Sequence, residues 1–430
     1  MPTGPAPAMF HYGRHGGGMT RDADILIVGG GFAGLSCFRS VDRRRRSVTL
    51  LSDRNHFLFT PLLPLAATGV VEVRSIVEPL WSFQKSRGEI VIGRVADIDA
   101  VKREVLIESD PQQPQKISYR VLVLAIGGVT STYGIPGVEQ HCFFFKEMKH
   151  ARALRERILA QFERAMDLNG AARKRALCFA VVGGGSTGVE LACEIHDLIE
   201  EDLKKEFPDL AKEADVQVIE GRNAILTEFG QTLAHYAARK LRQKRIHVQT
   251  GTPAREVREH QVVLDNGQSV EAETIIWTAG IGPSPFLTQL AGHWGVELEK
   301  GRIPVNGRLA VDKYPEVYAI GDCASFKGPS GHVLPPTAQV AMKEGIFLGK
   351  QLSNRGNADF SFRSMGMLAS LGTGSAIADL GFLQFKGRLA WWFWKAAYLT
   401  RLVSLRNKAT VAFDWLKIRL FGRNTARIDF

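Results

Sequence analysis

A chain of 430 residues with 45% apolar and 23% charged side chains is long enough for two or three buried cores, which excludes disorder of the bulk. Five scattered cysteines (Cys37, Cys142, Cys178, Cys193 and Cys323), with no CxxC among them, exclude a disulfide framework and a zinc cluster and fit a reducing compartment. The formal charge of +11 is unevenly placed: from Lys386 onward ten Lys or Arg stand against two Asp, alongside four of the seven tryptophans.

Residues 1–21 are rich in Pro, Gly and small side chains, with no apolar h-region and no Arg-rich amphipathic helix. They read as a flexible leader rather than a signal peptide or a mitochondrial presequence. The apolar run Asp24–Val28 suits a buried parallel strand and passes straight into Gly29-x-Gly31-x-x-Gly34 and a helical segment. In that frame the glycines give a tight turn, close backbone approach to a diphosphate and close helix packing. The diphosphate rests on the helix N-terminus. A second strand, "SVTLLS", ends at Ser52 with Asp53 behind it. The usual ribose-binding acid is missing there, and either residue can bond the ribose hydroxyls. "YRVLVLAIGG" (119–128) is a further strand running into glycines that include Gly127, where backbone can approach a flavin nucleotide.

The same frame recurs at "ALCFAVVGGGSTGVELACEI", where Leu177–Val182 leads into Gly183-x-Gly185-x-x-Gly188 and a helix. After a charged helical insertion the strand "DVQVIE" ends at Glu220. A carboxylate there accepts bonds from both ribose hydroxyls of NADH and repels the extra phosphate of NADPH, so NADH is the expected donor. Arg222, two residues on, is the opposing feature. Asn266-Gly267 between β-rich runs marks a hairpin, and "ETIIWTAGIG" ends a strand near Gly280. "VYAIGDCA" places Gly321-Asp322 after another strand, where an acid can bond a ribityl chain.

Two dinucleotide frames in one chain imply one FAD and one NADH domain facing each other. The expected fold is α/β, with two Rossmann-like domains and a C-terminal helical membrane-anchoring segment. The FAD domain spans 22–145 and 291–365, the NADH domain 146–290 is inserted between them, and a membrane-associating region covers 366–430. "LAWWFWKAAYLTRLVSLRNK" (389–408) is too interrupted by charge to span a bilayer. Cations interleaved with Trp, Phe and Leu suit an anionic lipid surface. With no nucleic-acid motif alongside, nucleic acid is not an expected partner.

Together with both glycine motifs and "GVELA", the stretches "NHFLFTPLLPLAATG" (55–69) and "LPPTAQVAMKEG" (334–345) resemble the type II NADH dehydrogenases, single-subunit, non-proton-pumping NADH:quinone oxidoreductases. The resemblance runs from about residue 22 to the end of the chain. It implies that Gly29, Gly31, Gly34 and Asp322 bind FAD, with Thr60, Pro61 and Leu62 beside its ring. Gly183, Gly185, Gly188 and Glu220 match the NADH site, and Glu190 an acid near where nicotinamide meets flavin. Ala338 and Gln339 match the motif over the flavin that borders the quinone site. Where the family often has a second glutamine, this chain has Lys343, which either faces a quinone carbonyl or points away. The implied mechanism passes hydride from NADH to FAD and then two electrons to a membrane quinone, with Glu190 relaying protons and Gln339 polarising the quinone. A homodimer at the cytoplasmic face of a bacterial inner membrane is the implied setting.

Sulfide:quinone oxidoreductase shares this frame but needs a cysteine pair beside the flavin, and no pair is evident. Apoptosis-inducing-factor-like quinone reductases lack a reason for the long tail. A nucleotide-sensing membrane scaffold is the non-enzymatic alternative.

Overall fold

Two sheets carry the two glycine loops. In this computed structural model residues 20–84, 88–108, 115–328, 331–354, 356 and 358–427 are described; apart from Thr20 and Arg21, the expected leader lies outside them. The first sheet orders its strands Ala310–Val311, Tyr314–Ala319, Gln115–Leu124, Thr20–Val28, Val48–Ser52 and Gly88–Ile92. Its four central pairings are parallel, and the register pairs Val28 with both Leu51 and Leu124, and Leu124 with Ala319. Aligned strand ends therefore deliver Ser52, Gly29, Ala125 and Ile320 to one edge, the carboxyl edge where open α/β sheets bind ligands.

The second sheet is parallel throughout, in the order Phe143–Phe144, Thr274–Trp277, Cys178–Val182, Asp215–Glu220 and His247–Thr250. Val182 pairs with Ile219 and with Trp277, which sets Gly183, Glu220 and Thr278 at one end. These strands fall in sequence between Gln115–Leu124 and Tyr314–Ala319 of the first sheet. The hairpin at Asn266-Gly267 forms as expected, joining Gln261–Leu264 to Ser269–Glu271 with Gly267 at φ +82°.

Six helices matter for the site: α1 (Phe32–Ser40), α2 (Ser186–Leu198), α3 (Gly230–Gln243), α4 (Ala338–Asn354), α5 (Arg388–Arg401) and α6 (Leu405–Phe421). α4 lies unusually close on α1. A Cβ at Gly345 would stand 2.2 Å from Ala33 O, and one at Gly349 2.6 Å from Cys37 O. Two glycines four apart thus clear one helical face for backbone contact.

The sequence reading assigns no strands between 366 and 388. The structure places a three-stranded antiparallel sheet there, Met367–Ser370, Ala376–Asp379 and Gln384–Gly387, ahead of α5 and α6. Its strands are four residues each and separated by glycine turns, too short for a clear period-2 signal.

α5 and α6 are not a free appendage. α6 buries Asn407, Val411 and Asp414 against the segment Glu72–Glu78. The Asp414 carboxylate accepts from Ser75 Oγ at 2.7 Å and Glu72 N at 3.0 Å, and Ser404 Oγ donates to Glu78 at 2.7 Å. Beyond α6, the Arg423 side chain is 2% exposed between Glu194 (3.5 Å) and Asp202 (3.2 Å). Arg423→Met is expected to destabilise the protein by about 3–5 kcal/mol, because two buried carboxylates lose their counter-charge; denaturant unfolding measures it. A change under about 1 kcal/mol would mean that the ion pairs of Arg423 do not hold this cluster together.

Candidate functional site

At the first glycine loop, a Cβ on Gly34 would lie 1.8 Å from Gly29 O, and one on Gly29, at φ +114°, would lie 2.2 Å from Ala125 O. Neither position admits a side chain. At Gly31 a Cβ would meet nothing within 4 Å, so the loop is open on that side. Gly31 is also the N-cap of α1, with no side-chain cap and no acid in the first turn, leaving backbone N–H groups for an anion. Ser52 is buried at the strand end, its Oγ 2.8 Å from where a Gly30 Cβ would be, whereas Asp53 is exposed and paired with Arg54. Of the two ribose candidates, Ser52 is the one that touches the loop.

Gly127, at φ +68°, is open in the same way as Gly31. Burial raises the Asp322 carboxyl, opposed by the Lys146 ammonium and the Arg302 guanidinium, and among the described residues no hydrogen bond takes up its oxygens. The turn before it is held by Glu344, which is 2% exposed and accepts from Gly321 N at 2.6 Å. Lys146 donates to Gly128 O. Thr60, Pro61 and Leu62 form a single 3-10 turn with Leu62 buried, leading into Leu63–Ala67 against α2. An open diphosphate cradle, a half-buried acid whose oxygens no hydrogen bond takes up among the described residues, and flanking cations together fit FAD.

The second loop repeats the device. A Cβ on Gly188 would lie 1.9 Å from Gly183 O, while Gly185, the N-cap of α2, is open. Thr278 Oγ1 donates to Val182 O at 3.0 Å and braces the loop from the neighbouring strand. Glu220 accepts from Gly184 N at 2.7 Å and Arg222 N at 2.8 Å, so its carboxylate is fixed at the loop with lone pairs to spare. The Arg222 guanidinium, the feature that favoured NADPH, is tied to Thr227 Oγ1 at 3.0 Å. Gly280, at φ +73°, leaves room for Tyr133, whose OH lies 2.3 Å from where a Cβ would be. Glu220→Ala is expected to lower kcat/KM for NADH about tenfold or more and to narrow the NADH:NADPH ratio, through loss of charge-assisted hydrogen bonds. Steady-state kinetics with both donors test this; an unchanged ratio would place the ribose elsewhere.

One turn into α2, Glu190 is 5% exposed and accepts from Ser370 N at 2.8 Å. Burial pushes its carboxyl up to about 8, against the pull of the Ser370 N–H, and the nearby Glu194 adds to the rise. The Trp394 indole N–H, buried without a partner in hydrogen-bond geometry, leans toward the carboxyl and favours the ionised form. Trp394 in turn packs edge-on against Tyr398 (centroids 4.8 Å apart), and Tyr398 against Phe59 (6.3 Å). The helix that opens the second glycine loop therefore touches the tail one turn later.

Ala338 opens α4. Gln339 spends its amide on the chain just before the tail sheet, accepting from Met365 N at 3.1 Å and donating to Gly366 O at 3.4 Å. Lys343 is exposed one turn on, while its neighbour Glu344 is the buried acid. Lys146, Glu344, Thr278 and Trp394 escaped the sequence reading.

All five thiols are free. Burial pushes Cys37, Cys142, Cys178 and Cys323 up to about 12, and Cys193 well above its ordinary value. Burial of this kind leaves a thiol poorly suited to act as a nucleophile. Among the described residues no cluster could hold a metal ion, and no helix is long and apolar enough to cross a membrane.

The pyridine nucleotide-disulphide oxidoreductase family model matches residues 23–345, and the NDH2 C-terminal domain matches 365–424. A probable NADH dehydrogenase of Dictyostelium discoideum is 35% identical across 95% of this chain and 92% of its own. The chain belongs to the type II NADH dehydrogenase family. The mitochondrial external NADH-ubiquinone oxidoreductase 2 of Saccharomyces cerevisiae is 34% identical over 94% of this chain and 82% of its own. NDH2 of Plasmodium falciparum, solved with NADH, superposes with a TM-score of 0.89 at 23% identity, covering 95% of this chain and all of that one. The sulfide:quinone oxidoreductase of Aquifex aeolicus shares the fold less closely, at TM-score 0.70 and 18% identity over 94% and 95%. As a type II NADH dehydrogenase, the chain uses FAD and NADH, and its glycine loops and tail fall within the matched segments.

Proposed function

We propose that this chain, an FAD-dependent NADH:quinone oxidoreductase, works at a membrane surface, taking NADH at the second glycine loop and quinone at the contact between α2 and the tail. The observation that carries the reading is α2 itself. Its N-terminus opens the nucleotide loop, and Glu190, one turn on, is buried against Ser370 and Trp394.

FAD, when bound, supplies a hydride acceptor and a two-electron donor. The residues do the rest. Gly183, Gly185 and Gly188 seat the NADH diphosphate, and Glu220 orients its ribose. Gly29, Gly31 and Gly34 seat the FAD diphosphate, Ser52 lies beside the loop, and Asp322, set by Glu344, takes the ribityl side. Glu190, a protonated carboxyl at neutral pH, gives a proton to a quinone oxygen. Gln339 fixes the chain at 365–366 along the border of that site, with Ala338 beneath.

The tail supports the membrane seat through an inversion. α6 buries Asn407 and Asp414 but exposes Phe413 (64%), Leu416 (53%), Leu420 (64%) and Phe421 (82%). α5 buries Ala390 and Trp394 and exposes Leu389 (71%) and Trp392 (59%). Large apolar side chains on the outward faces of both helices, with Asn407 and Asp414 of α6 turned inward, suit an apolar medium. The surface is that of a peripheral protein on the membrane face that meets NADH, in a bacterium the cytoplasmic face of the inner membrane. A homodimer belongs to the same reading, and light scattering tests it.

Anaerobic spectroscopy tests the activity: NADH should bleach the visible flavin absorbance and a short-chain ubiquinone should restore it. Bleaching without recovery by any quinone would remove quinone as acceptor.

A further inference from the structure

The proposed membrane seat rests on the tail, but a second basic feature lies outside it. Residues 229–255 contain no acid, and neither do residues 380–413. Both stretches carry several cations, and the fold brings them together at one ring. Tyr236 of α3 has Lys386 Nζ at 5.1 Å from its ring centroid, Arg239 Cζ at 5.5 Å and Lys240 Nζ at 5.8 Å. The Tyr236 hydroxyl lies 3.4 Å from Ser375 Oγ and 3.5 Å from where a Cβ on Gly387 would be, which holds the ring in place. Arg239 and Lys386 are exposed, and Lys240 and Tyr236 half-buried.

Three cations within 6 Å of one ring centroid repel one another, and the ring quadrupole offsets only part of that. A phosphate set among them would supply the missing negative charge. The neighbouring side chains point to its source. Lys386 is bracketed in sequence by Phe382 (88% exposed), Leu383 (51%) and Leu389 (71%). Exposed apolar groups flanking an exposed cation match a lipid, whose acyl chains begin where its phosphate ends.

We propose that Arg239 and Lys240 of α3 and Lys386 of the strand Gln384–Gly387, arranged round Tyr236, bind the phosphate of an anionic lipid headgroup. The inference rests on the proposed membrane seat and extends it, since α3 belongs to the sheet that carries the NADH loop. That unit is then pinned to the surface directly and not only through α5 and α6.

The test is vesicle flotation of the FAD-loaded protein, with phosphatidylcholine alone and with phosphatidylglycerol added. The variant is Arg239→Gln/Lys240→Gln/Lys386→Gln, and Arg406→Gln/Lys408→Gln on α6 is the comparison. Unchanged FAD content and unchanged NADH oxidation with a water-soluble acceptor certify the fold of both. The wild type should bind neutral vesicles and bind anionic ones about tenfold to a hundredfold tighter. The triple variant should keep the neutral binding and lose most of that gain, and the α6 variant should keep most of it. A triple variant that retains the gain, or an α6 variant that loses as much, would overturn the site. So would inorganic phosphate at constant ionic strength abolishing the wild-type gain, which would make the ligand free phosphate. Wild type that floats with neither vesicle would instead sink the membrane seat, a different failure.

Discussion

Glu190→Gln is expected to leave NADH-dependent bleaching of the flavin within about twofold and to lower quinone turnover about a hundredfold, the usual scale for losing a positioned proton donor. The substitution keeps the side chain's length and its acceptor for Ser370 N, so shape is preserved while the proton is removed. The pH dependence has a definite sign. With its carboxyl raised to about 8, Glu190 holds a proton at neutral pH and gives it up as pH rises through about 8. Quinone turnover in the wild type should therefore decline on that alkaline limb, and the variant should lack the limb. Stability follows the same group. Its contribution is complete below the ordinary carboxyl range and is lost as pH climbs through about 8, so the melting temperatures of wild type and variant should differ in pH slope between those limits and run parallel outside them. Full quinone turnover in Glu190→Gln would remove the relay and leave the acid as a packing element.

The second large effect separates two glycines of one loop. Gly34→Ala forces a Cβ to within 1.8 Å of Gly29 O, so the loop must shift even without cofactor. Gly31→Ala places its Cβ where no protein atom lies within 4 Å. Both should lose FAD, with affinity down about a hundredfold for about 3 kcal/mol of misfit. Only Gly34→Ala should also lower the melting temperature of the cofactor-free chain. FAD content by visible absorbance and thermal unfolding of the stripped protein give the two readouts. Gly31→Ala that retains FAD would place the diphosphate elsewhere.

These two loops were legible in the sequence for a reason. A diphosphate against a helix end demands the same three glycines wherever it occurs, and the strand before and the helix after are local features. Glu220 was legible as well, because a strand end fixes the position of its last residue. What stayed hidden was set by contacts distant in sequence. Lys343 drew attention as a departure from a family pattern, yet it is exposed, and the neighbouring Glu344 is the acid that sets the Gly321 turn. Helical spacing alone does not say which of two adjacent residues faces the turn. Gln339 was read as a quinone ligand, and its amide is engaged with Met365 and Gly366. The tail was read from composition as aromatic and basic. That α6 would turn Asn407 and Asp414 inward beside Val411 depends on partners at residues 72–78 that no local window contains.

Asp202 and Arg423 are 221 residues apart in the chain, and that interval has a consequence for synthesis. The acids of α2 and the turn after it emerge early, while the guanidinium that neutralises Glu194 and Asp202 is made much later. Until then Asp202 has Lys205 as its cation and Glu194 the field of Lys244, and water must supply the rest of the solvation along that edge. A chain that stops before residue 423 would therefore keep that edge of the nucleotide-binding unit hydrated where the full chain closes it with Arg423.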